Sequence, residues 1–305
     1  MITNQEISLS KLTVRLRLPR LLRMKLFTRN LGVLFLLSLT FTSAFAAPPA
    51  PAFKKVFLVM FENEDAKKVL DQPTFKLFAE HGAYFTDLNA EVHPSQANYI
   101  ALISGDLQGV RGDGNQDVDA KHIGDLLENT GHTWKAYLED YPGNCFTGAR
   151  SGQYARKHNP FISFLNIQND PARCNAHLVN AATLASDIQN NTMPDFSFYI
   201  PNMRNDGHDT GVAFADQWLS KAIIPLFQVE NFMRDMLVIL TFDESSIVGG
   251  NKIYGAFYGD GIQRGVVSSQ RYDHYSILRS IEDTLGLGSF GLNDMKAAPI
   301  TGIWK

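Results

Sequence analysis

Short apolar runs separated by segments with helical periodicity constrain the fold of this chain more than any other feature. Three such runs occupy residues 54–60, 196–200 and 236–242. Each has the length of a buried strand and is rich in the aliphatic and aromatic residues that buried strands favour. A fourth strand is predicted over residues 133–138. The most hydrophobic of the four is the strand over residues 236–242.

Between these strands lie segments in which apolar residues recur at the spacing of one helix face. Four of them are followed by a glycine, the residue that most often terminates a helix. These predicted helices cover residues 74–81, 96–104, 121–130 and 272–285, and a fifth covers residues 216–227. Strands that alternate with helices predict an α/β fold, with a mostly parallel central sheet and helices on both faces.

The N-terminal segment has a different composition from the rest of the chain. Its first 30 residues carry seven Lys or Arg against Glu6 alone, and an apolar run over residues 31–41 and an Ala-x-Ala sequence ending at Ala46 follow. This order is typical of a secretory signal peptide that is cleaved before Ala47. An uncleaved membrane anchor is the alternative, but the run is shorter than the ~20 residues a bilayer span needs. We therefore predict a signal peptide over residues 1–46.

Without this segment the chain is acidic and long enough for one core. Residues 47–305 carry 21 Lys and Arg against 30 Asp and Glu, a formal net charge of −9. No basic field is present to attract nucleic acid, so we predict no nucleic-acid partner. A chain of 259 residues can bury roughly 70–75% of its unfolded surface in one core. We predict a single exported domain over residues 47–305, periplasmic or secreted, without a transmembrane span.

Cys145 and Cys174 are the only cysteines of the sequence. In an oxidising compartment an isolated pair most simply forms one disulfide. A nucleophilic cysteine is the alternative, but neither cysteine has a convincing partner motif. We therefore predict a disulfide that closes a loop of about 30 residues.

Acidic, amide and imidazole side chains follow directly after the predicted strands, where ligands bind in open α/β sheets. These residues are Glu62, Asn63, Asp206, His208, Asp209, Asp243 and Glu244. Hard oxygen ligands from separate strand ends suit a divalent cation. A single acidic pair is more often a solvated loop or a helix cap, but two pairs on apolar strand ends together with the Asp/His cluster favour a metal site. A glycosidase with Asp243 and Glu244 as its acid and base is disfavoured, because adjacent strand residues point to opposite faces.

Ser95 stands at the start of the helix predicted over residues 96–104. As a helix N-cap, its side chain would accept a backbone N–H. As a nucleophile, it would benefit from the free N–H groups and positive dipole end at a helix N-terminus, which suit a phosphoryl group. Its hydroxyl needs a base or a metal to become reactive. The two interpretations are compatible.

Six segments carry a family resemblance. They are Glu62-Asn63, H-P-S-x-x-N-Y at residues 93–99, K-H-N-P-F at 157–161, I-P-N…N-D-x-H-D at 200–209, Asp243-Glu244, and Y-x-H-Y-S-x-L-R-x-I-E-D at 272–283. In this order they resemble the phosphoesterase family of bacterial and fungal acid phosphatases and phospholipase C enzymes, in the alkaline-phosphatase-like superfamily. The departures are Ala97 in place of the usual proline, and Phe61 as an extra residue before Glu62.

The resemblance implies a role for each matched residue. Ser95 would be the nucleophile and a neighbour of the metal, and Asn98 would contact a phosphoryl oxygen. Lys157 and His158 would line the phosphate pocket. The metal ligands would be Glu62, Asn63, Asp243 and Glu244.

The remaining matched residues concern proton transfer and support. His208 and His274 are candidates for protonating the leaving oxygen. Asp206 and Asp209 would either orient these histidines or complete a second metal shell. By helical pattern, structural salt bridges are the expected role of Arg279, Glu282 and Asp283.

The resemblance implies an exported, metal-dependent phosphoesterase with an alkaline-phosphatase-like fold. The expected activity is that of an acid phosphatase that hydrolyses phosphate monoesters through a phosphoserine intermediate, with Mg²⁺, Ca²⁺ or Mn²⁺ as cofactor. A phospholipase C or phosphodiesterase on the same core is the nearest alternative. A non-catalytic module that binds phosphate or metal is an alternative of another class. The expected partner is a small phosphorylated substrate or a phospholipid headgroup.

Overall fold

The computed structural model describes residues 53–305, so the predicted signal peptide and its cleavage site lie outside the described residues. The strands in the described part are β1 (Lys55–Phe61), β2 (Ala83–Phe85), β3 (Leu88–Asn89), β4 (Trp134–Leu138), β5 (Arg150–Ser151), β6 (Tyr154–Ala155), β7 (Leu178–Asn180), β8 (Phe196–Ile200), β9 (Met236–Phe242), β10 (Lys252–Ile253), β11 (Gly255–Tyr258), β12 (Val266–Ser268) and β13 (Tyr272–Asp273). The α-helices there are α1 (Ala66–Leu70), α2 (Pro73–His81), α3 (Ser95–Ser104), α4 (Ile123–Asn129), α5 (Leu165–Gln168), α6 (Pro171–His177), α7 (Leu184–Gln189), α8 (Val212–Ala222), α9 (Glu230–Met233), α10 (His274–Leu285) and α11 (Asn293–Lys296).

Eight of the strands within residues 53–305 form one sheet, in the order β12-β2-β11-β9-β1-β8-β4-β7. The strands from β9 to β7 run parallel to one another, and β12 is parallel to β2. Only β11 is antiparallel to its neighbours in this sheet. The carboxyl ends of the central strands β1, β8 and β9 therefore meet at one edge of the sheet, which is where an α/β sheet offers a ligand site.

Helices cover both faces of this sheet. On one face, Phe61 of β1 packs against Phe75 of α2 and Trp218 of α8. On the other, Phe198 of β8 packs against Tyr99 of α3. Phe198 is in register with Leu58, whose side chain points to the face opposite that of Phe61. The predicted α/β architecture is confirmed.

All four predicted strands are present within one residue of their predicted bounds. The helix predicted over residues 216–227 is wrong in extent, because α8 covers Val212–Ala222 and a 3₁₀ turn over Ile224–Gln228 follows it. The interruption coincides with Pro225, which has no N–H to donate and clashes with the preceding helical turn. The short strands β2, β11 and β12 are not predicted by the sequence.

Two further predictions concern the disulfide and the membrane. Cys145 and Cys174 are bonded to each other, as predicted. The bond closes a segment that contains Lys157 and His158, two residues of the predicted phosphate pocket. Over residues 53–305, no helix combines the length and the apolar character that a bilayer crossing requires.

Candidate active site

The ends of β1 and β9 bring two acidic residues side by side. Phe61 pairs with Phe242 in the parallel register, so Glu62 and Asp243 follow at the same level of the sheet. The Asp243 N–H donates to the Phe61 carbonyl at 3.0 Å, and the Asn63 N–H donates to Asp243 Oδ1 at 3.0 Å. The Asn63 amide also donates to Glu62 Oε2 at 3.0 Å. Backbone pairing therefore fixes the carboxylates that the sequence analysis groups together.

Ser95 is the first residue of α3, and its hydroxyl points at the carboxylates of Glu62 and Glu244. It donates to Glu62 Oε2 at 3.1 Å and lies 3.2 Å from Glu244 Oε1. The N-cap position is Pro94, which makes no side-chain cap. Ser95 is therefore not the cap of its helix. Its hydroxyl instead lies between two possible proton acceptors at a helix N-terminus, the arrangement expected of an activated nucleophile.

Asn98 contacts the backbone that leads into the helix. Its Oδ1 accepts the N–H groups of Glu91 and Val92 at 3.0 and 3.1 Å, and its Nδ2 donates to the Val92 carbonyl at 2.8 Å. Its side chain is fully buried. In this structure the carboxamide therefore braces the segment before Ser95, and its predicted contact with a phosphoryl oxygen would require some of these bonds to open.

His158 supplies positive charge at the base of the cluster. Its Nε2 lies 3.0 Å from Glu62 Oε1, and its Nδ1 lies 3.3 Å from Asp206 Oδ2. Tyr99 donates to Glu62 Oε1 at 2.7 Å and stacks on the His158 ring with centroids 5.3 Å apart. Burial opposes both charges, but their mutual attraction prevails: it lowers the pKa of Glu62 and raises the pKa of His158.

Lys157 lies beside His158 in a 3₁₀ turn. Its ammonium donates to Asp113 Oδ2 at 2.9 Å and is also within range of the charges of Glu62 and Asp243. Its side chain is 19% exposed, so the ammonium is still accessible at the edge of the cluster. This placement is compatible with the predicted contact to a phosphate.

Of the two predicted proton donors, His208 and His274, it is His208 that lies at the edge of the cluster. Its ring lies 6.1 Å from that of His158, and its Nδ1 is 2.9 Å from Asp209 Oδ1. The Asp206 carboxylate accepts the His208 N–H at 2.8 Å. Asp209 therefore contacts the His208 ring, whereas Asp206 contacts the His208 backbone and the His158 ring.

His274 has a different environment. It is fully buried, and its Nε2 lies 2.9 Å from the Phe242 carbonyl. Burial lowers the pKa of His274 to about 4, so the ring is neutral and its Nε2–H is used by a backbone acceptor. This environment argues against His274 as the proton donor and for a structural contact between α10 and the end of β9.

The acidic cluster is short of positive charge. Burial, together with the charges of Glu62 and Glu244, raises the pKa of Asp243 well above its usual range. Burial also raises the pKa of Glu244, although His93 at 2.6 Å opposes the shift. Asp243 Oδ2 is buried and has no hydrogen-bond partner among residues 53–305. A cation beside these oxygens would remove both the repulsion and the unsatisfied acceptor.

The donor chemistry at this edge of the sheet fits a hard divalent cation, since carboxylate and amide oxygens are its preferred ligands. As the side chains stand in residues 53–305, no group of three or more His, Cys, Asp or Glu is arranged to hold a metal ion. Ser95, Tyr99 and His158 instead occupy part of the carboxylates' coordinating capacity. Metal binding would therefore require small rotations of these carboxylates.

Three residues at the site were not assigned by the sequence analysis. Tyr99 lies one helical turn after Ser95, a spacing that could have placed it on the same face. His93 contacts Glu244, and its position two residues before Ser95 was the available signal. Asp113 reaches the site from a glycine-rich loop, and no local pattern indicates this long-range contact.

Comparison with known proteins agrees with this geometry. A sequence model of the Phosphoesterase family matches residues 61–288. A probable acid phosphatase of Kluyveromyces lactis is 36% identical over 256 residues, which cover 80% of this chain and 61% of the yeast protein. A phosphatidylinositol-3-phosphatase of Mycobacterium tuberculosis is 30% identical over 265 residues, which cover 85% of each chain. This chain spans about three fifths of the length of the fungal relatives that it matches.

The fold is also similar to that of solved proteins. A solved protein of the alkaline phosphatase superfamily from Vibrio parahaemolyticus superposes with a TM-score of 0.55 at 12% identity, covering 82% of this chain and 71% of the other. At this identity the likeness concerns the fold alone. The family match, in contrast, includes every strand end and helix that contributes to the site. The chain belongs to the phosphoesterase family.

Proposed function

We propose that this protein is an exported, metal-dependent acid phosphatase that hydrolyses phosphate monoesters through a phosphoserine intermediate. The observation that carries the proposal is the Ser95 hydroxyl, held between Glu62 and Glu244 at the N-terminus of α3. The family match and the acid phosphatase relatives support a hydrolase that acts on phosphoric ester bonds. The disulfide supports an oxidising compartment, and hence export.

A divalent cation, with Mg²⁺, Ca²⁺ and Mn²⁺ as candidates, would be held by Glu62, Asn63, Asp243 and Glu244. When bound, it would supply positive charge that stabilises the Ser95 alkoxide and the phosphoryl oxygens. The unpartnered Asp243 Oδ2 and the mutual repulsion of the carboxylates support this assignment.

The protein's own groups account for the first half-reaction. The hydroxyl proton of Ser95 passes to Glu244, which lies within hydrogen-bond distance and whose pKa is raised by burial. The Ser95 oxygen then attacks phosphorus, and the bond from phosphorus to the ester oxygen breaks. Lys157 and the N-terminus of α3 stabilise negative charge on the phosphoryl oxygens.

His208 is the best-placed donor for the leaving alkoxide. Its side chain is 32% exposed, at the open side of the cluster, and Asp209 fixes its Nδ1. The contact with Asp209 leaves Nε2 as the ring nitrogen that would donate a proton to the leaving alkoxide. In the second half-reaction, His208 takes a proton from the water that attacks phosphorus, the bond from phosphorus to the Ser95 oxygen breaks, phosphate leaves, and the proton held by the carboxylate returns to Ser95.

A substrate panel combined with acid quenching tests the proposal. We expect hydrolysis of p-nitrophenyl phosphate at acidic pH, and little hydrolysis of bis(p-nitrophenyl) phosphate or phosphatidylcholine. Acid quenching during turnover should trap phosphate on a peptide that contains Ser95. A preference for the diester would make the protein a phosphodiesterase or phospholipase C, and phosphate binding without turnover would make it a binding module.

A phosphomonoester on a lipid headgroup is a second candidate substrate. The mycobacterial relative, which matches this chain over most of both lengths, is named a phosphatidylinositol-3-phosphatase. Ile247 and Val248, three and four residues after Glu244, are 88% and 93% exposed and could contact acyl chains. Vesicles that contain phosphatidylinositol 3-phosphate, compared with a water-soluble inositol phosphate, test this candidate. Replacing Ile247 and Val248 by serine should slow only the vesicle reaction.

A further inference from the structure

Asp113 makes two contacts that meet at the candidate nucleophile. Its Oδ2 accepts from the Lys157 ammonium at 2.9 Å, and its Oδ1 accepts the backbone N–H of Gln96 at 3.1 Å. Gln96 is the residue directly after Ser95. One carboxylate therefore joins the first turn of the nucleophile helix to the cationic side chain of the predicted phosphate pocket.

The loop that carries Asp113 is fixed to the same helix turn. Gln96 is fully buried. With its amide nitrogen facing the loop, its side chain donates to the Gly112 carbonyl at 2.9 Å and the Gly114 carbonyl at 2.6 Å. Asp113 lies between these two anchored residues. Its carboxylate is therefore held in place on both sides, rather than on a free loop.

The helix needs an acceptor from outside its own sequence. The first N–H groups of a helix have no partner within it, and a side chain at the N-cap position usually accepts one of them. Here that position is Pro94, whose side chain has no acceptor. Asp113 supplies one from a distant loop, and this fixes the carboxylate relative to Ser95.

Lys157 has competing partners. The carboxylates of Glu62 and Asp243 attract its ammonium as well. A lysine side chain is long and flexible, so without Asp113 the ammonium is free to move toward Glu62, which it would then neutralise. Asp113 is the partner that holds the ammonium beside the N-terminus of α3.

We propose that Asp113 is a positioning residue that acts through Lys157, holding its ammonium where it meets the phosphoryl group on Ser95. This inference rests on the proposed function, in which Lys157 contacts that group. Asp113 itself touches neither the substrate nor the reacting atoms.

The test is a double-mutant cycle with two binding readouts. Asp113→Asn keeps an oxygen for the Gln96 N–H but removes the charge that holds Lys157. We expect it to raise KM for p-nitrophenyl phosphate, and the inhibition constant of inorganic phosphate, by roughly tenfold. We expect kcat and the thermal unfolding midpoint to change little. Asp113→Ala should weaken phosphate binding similarly and should also lower the midpoint, because it removes the helix cap.

In a Lys157→Met background, Asp113→Asn should change phosphate affinity by less than about twofold, because the residue through which it acts is gone. Asp117→Asn is the matched control. Asp117 lies on the same loop and is 67% exposed, but it faces Arg156 and Gln168. We expect it to leave both binding constants unchanged.

Any one of three results would overturn the inference. Tighter phosphate binding in Asp113→Asn would mean that the carboxylate competes with the phosphoryl group, and independent effects of Asp113 and Lys157 would mean that it does not act through Lys157. Failure of the proposed function is separate and visible in the wild type, as absence of both phosphomonoester hydrolysis and phosphate inhibition. A Lys157→Met variant with normal phosphate affinity would remove Lys157 from the pocket and the inference with it.

Discussion

Two groups of buried carboxyl side chains lie near opposite ends of α10, and they are built differently. The first, at the ends of β1 and β9, contains Glu62, Asp243 and Glu244 and lies beside His274, the first residue of the helix. The second contains Glu282 of α10 and Asp294 of α11, which are 1% and 0% exposed. His274 and Glu282 are eight positions apart, about 12 Å along a helix.

The first group contains cations and donors. His158 lies between Glu62 and Asp206, and Ser95 and Tyr99 donate to Glu62. Charge is therefore maintained on Glu62 although it is fully buried, because opposite charge and hydrogen bonds offset the loss of water.

Among the described residues no cation pairs with the second group: Arg279 opposes the pKa shift of Glu282 but is itself bonded to Asp283. Both carboxylate oxygens of Glu282 lack a hydrogen-bond partner, whereas Asp294 accepts the N–H groups of Phe290 and Leu292 at 2.6 and 2.8 Å. Burial and the charge of Asp294 raise the pKa of Glu282 to about 9. Glu282 therefore carries a proton at neutral pH.

The difference shows what identifies a site among buried acids. Burial and a displaced pKa occur in both groups, so neither is sufficient. What distinguishes the first group is a serine hydroxyl between its carboxylates, a buried cation, and a position at the carboxyl edge of a parallel sheet. Changes in the first group are therefore expected to affect activity, and changes in the second group only stability.

Replacing the nucleophile should have the largest effect. Ser95→Ala is expected to lower kcat by at least about 10³, since loss of a covalent nucleophile has effects of this size. Because Ser95 does not cap α3, the thermal unfolding midpoint should move little. The matched control is Ser104→Ala at the other end of the helix, where the hydroxyl donates to the Ile100 carbonyl. If Ser95→Ala turns over p-nitrophenyl phosphate within tenfold of wild type, the covalent mechanism fails.

Removing the metal should have the next largest effect. Dialysis against a chelator is expected to lower kcat about 100-fold, because the proposed cation would stabilise negative charge on the Ser95 oxygen. Adding Mg²⁺, Ca²⁺ or Mn²⁺ should then restore the activity of the wild-type protein and of the Glu282→Gln variant, but not that of the Asp243→Asn variant. Metal content is measured by elemental analysis in parallel. Full activity in a demonstrably metal-free sample would remove the cation from the mechanism.

Neutralising Glu62 should affect stability as well as activity. Glu62→Gln leaves His158 buried without its main counter-charge, a change that typically costs about 3–5 kcal/mol. Urea unfolding at pH 6, with and without the chelator, measures this loss. A loss of less than about 1 kcal/mol in the free energy of unfolding would indicate that the pair with His158 is weak. The two groups of buried carboxyl side chains would then not differ in how their charge is stabilised.

The strands and the strand-end residues could be predicted because their signals are local. Residues 196–200 and 236–242 are apolar except for Ser197 and Thr241, so length and composition were enough to place both strands. The short β11 over Gly255–Tyr258 gives no such signal, because it has only four residues and one of its partners, β2, is distant in sequence.

The supporting contacts of the site could not be predicted for the same reason. The contact of Asp113 with Lys157 joins residues 44 positions apart, and that of His93 with Glu244 joins residues 151 apart. The expected salt bridge of Glu282 is wrong for a geometric reason. Arg279 pairs with Asp283, one turn along the exposed face of α10, while Glu282 points into the protein.

Glu282 provides the smallest effect and the one with a defined pH dependence. Its pKa is about 9 in the folded protein and near 4.5 in an unfolded chain. Below pH 4.5 both states carry the proton, and between the two values only the folded state does. Between these pH values the unfolded chain releases the proton and the folded chain keeps it, so unfolding becomes more favourable as pH rises. The stability that protonated Glu282 contributes is therefore present at low pH and is lost as pH approaches 9.

Glu282→Gln resembles the protonated side chain and does not titrate. We expect the variant to match wild type at pH 4–5 and to be more stable by roughly 1–3 kcal/mol at pH 9, with kcat at acidic pH unchanged. Urea unfolding at pH 5, 7 and 9 measures the difference. Asp283→Asn is the control, since Asp283 is half-exposed and already paired with Arg279, and it should follow the wild-type pH dependence. Parallel pH dependences for wild type and Glu282→Gln would show that Glu282 is ionised in the folded protein, and the contrast between the two carboxyl groups would then be lost.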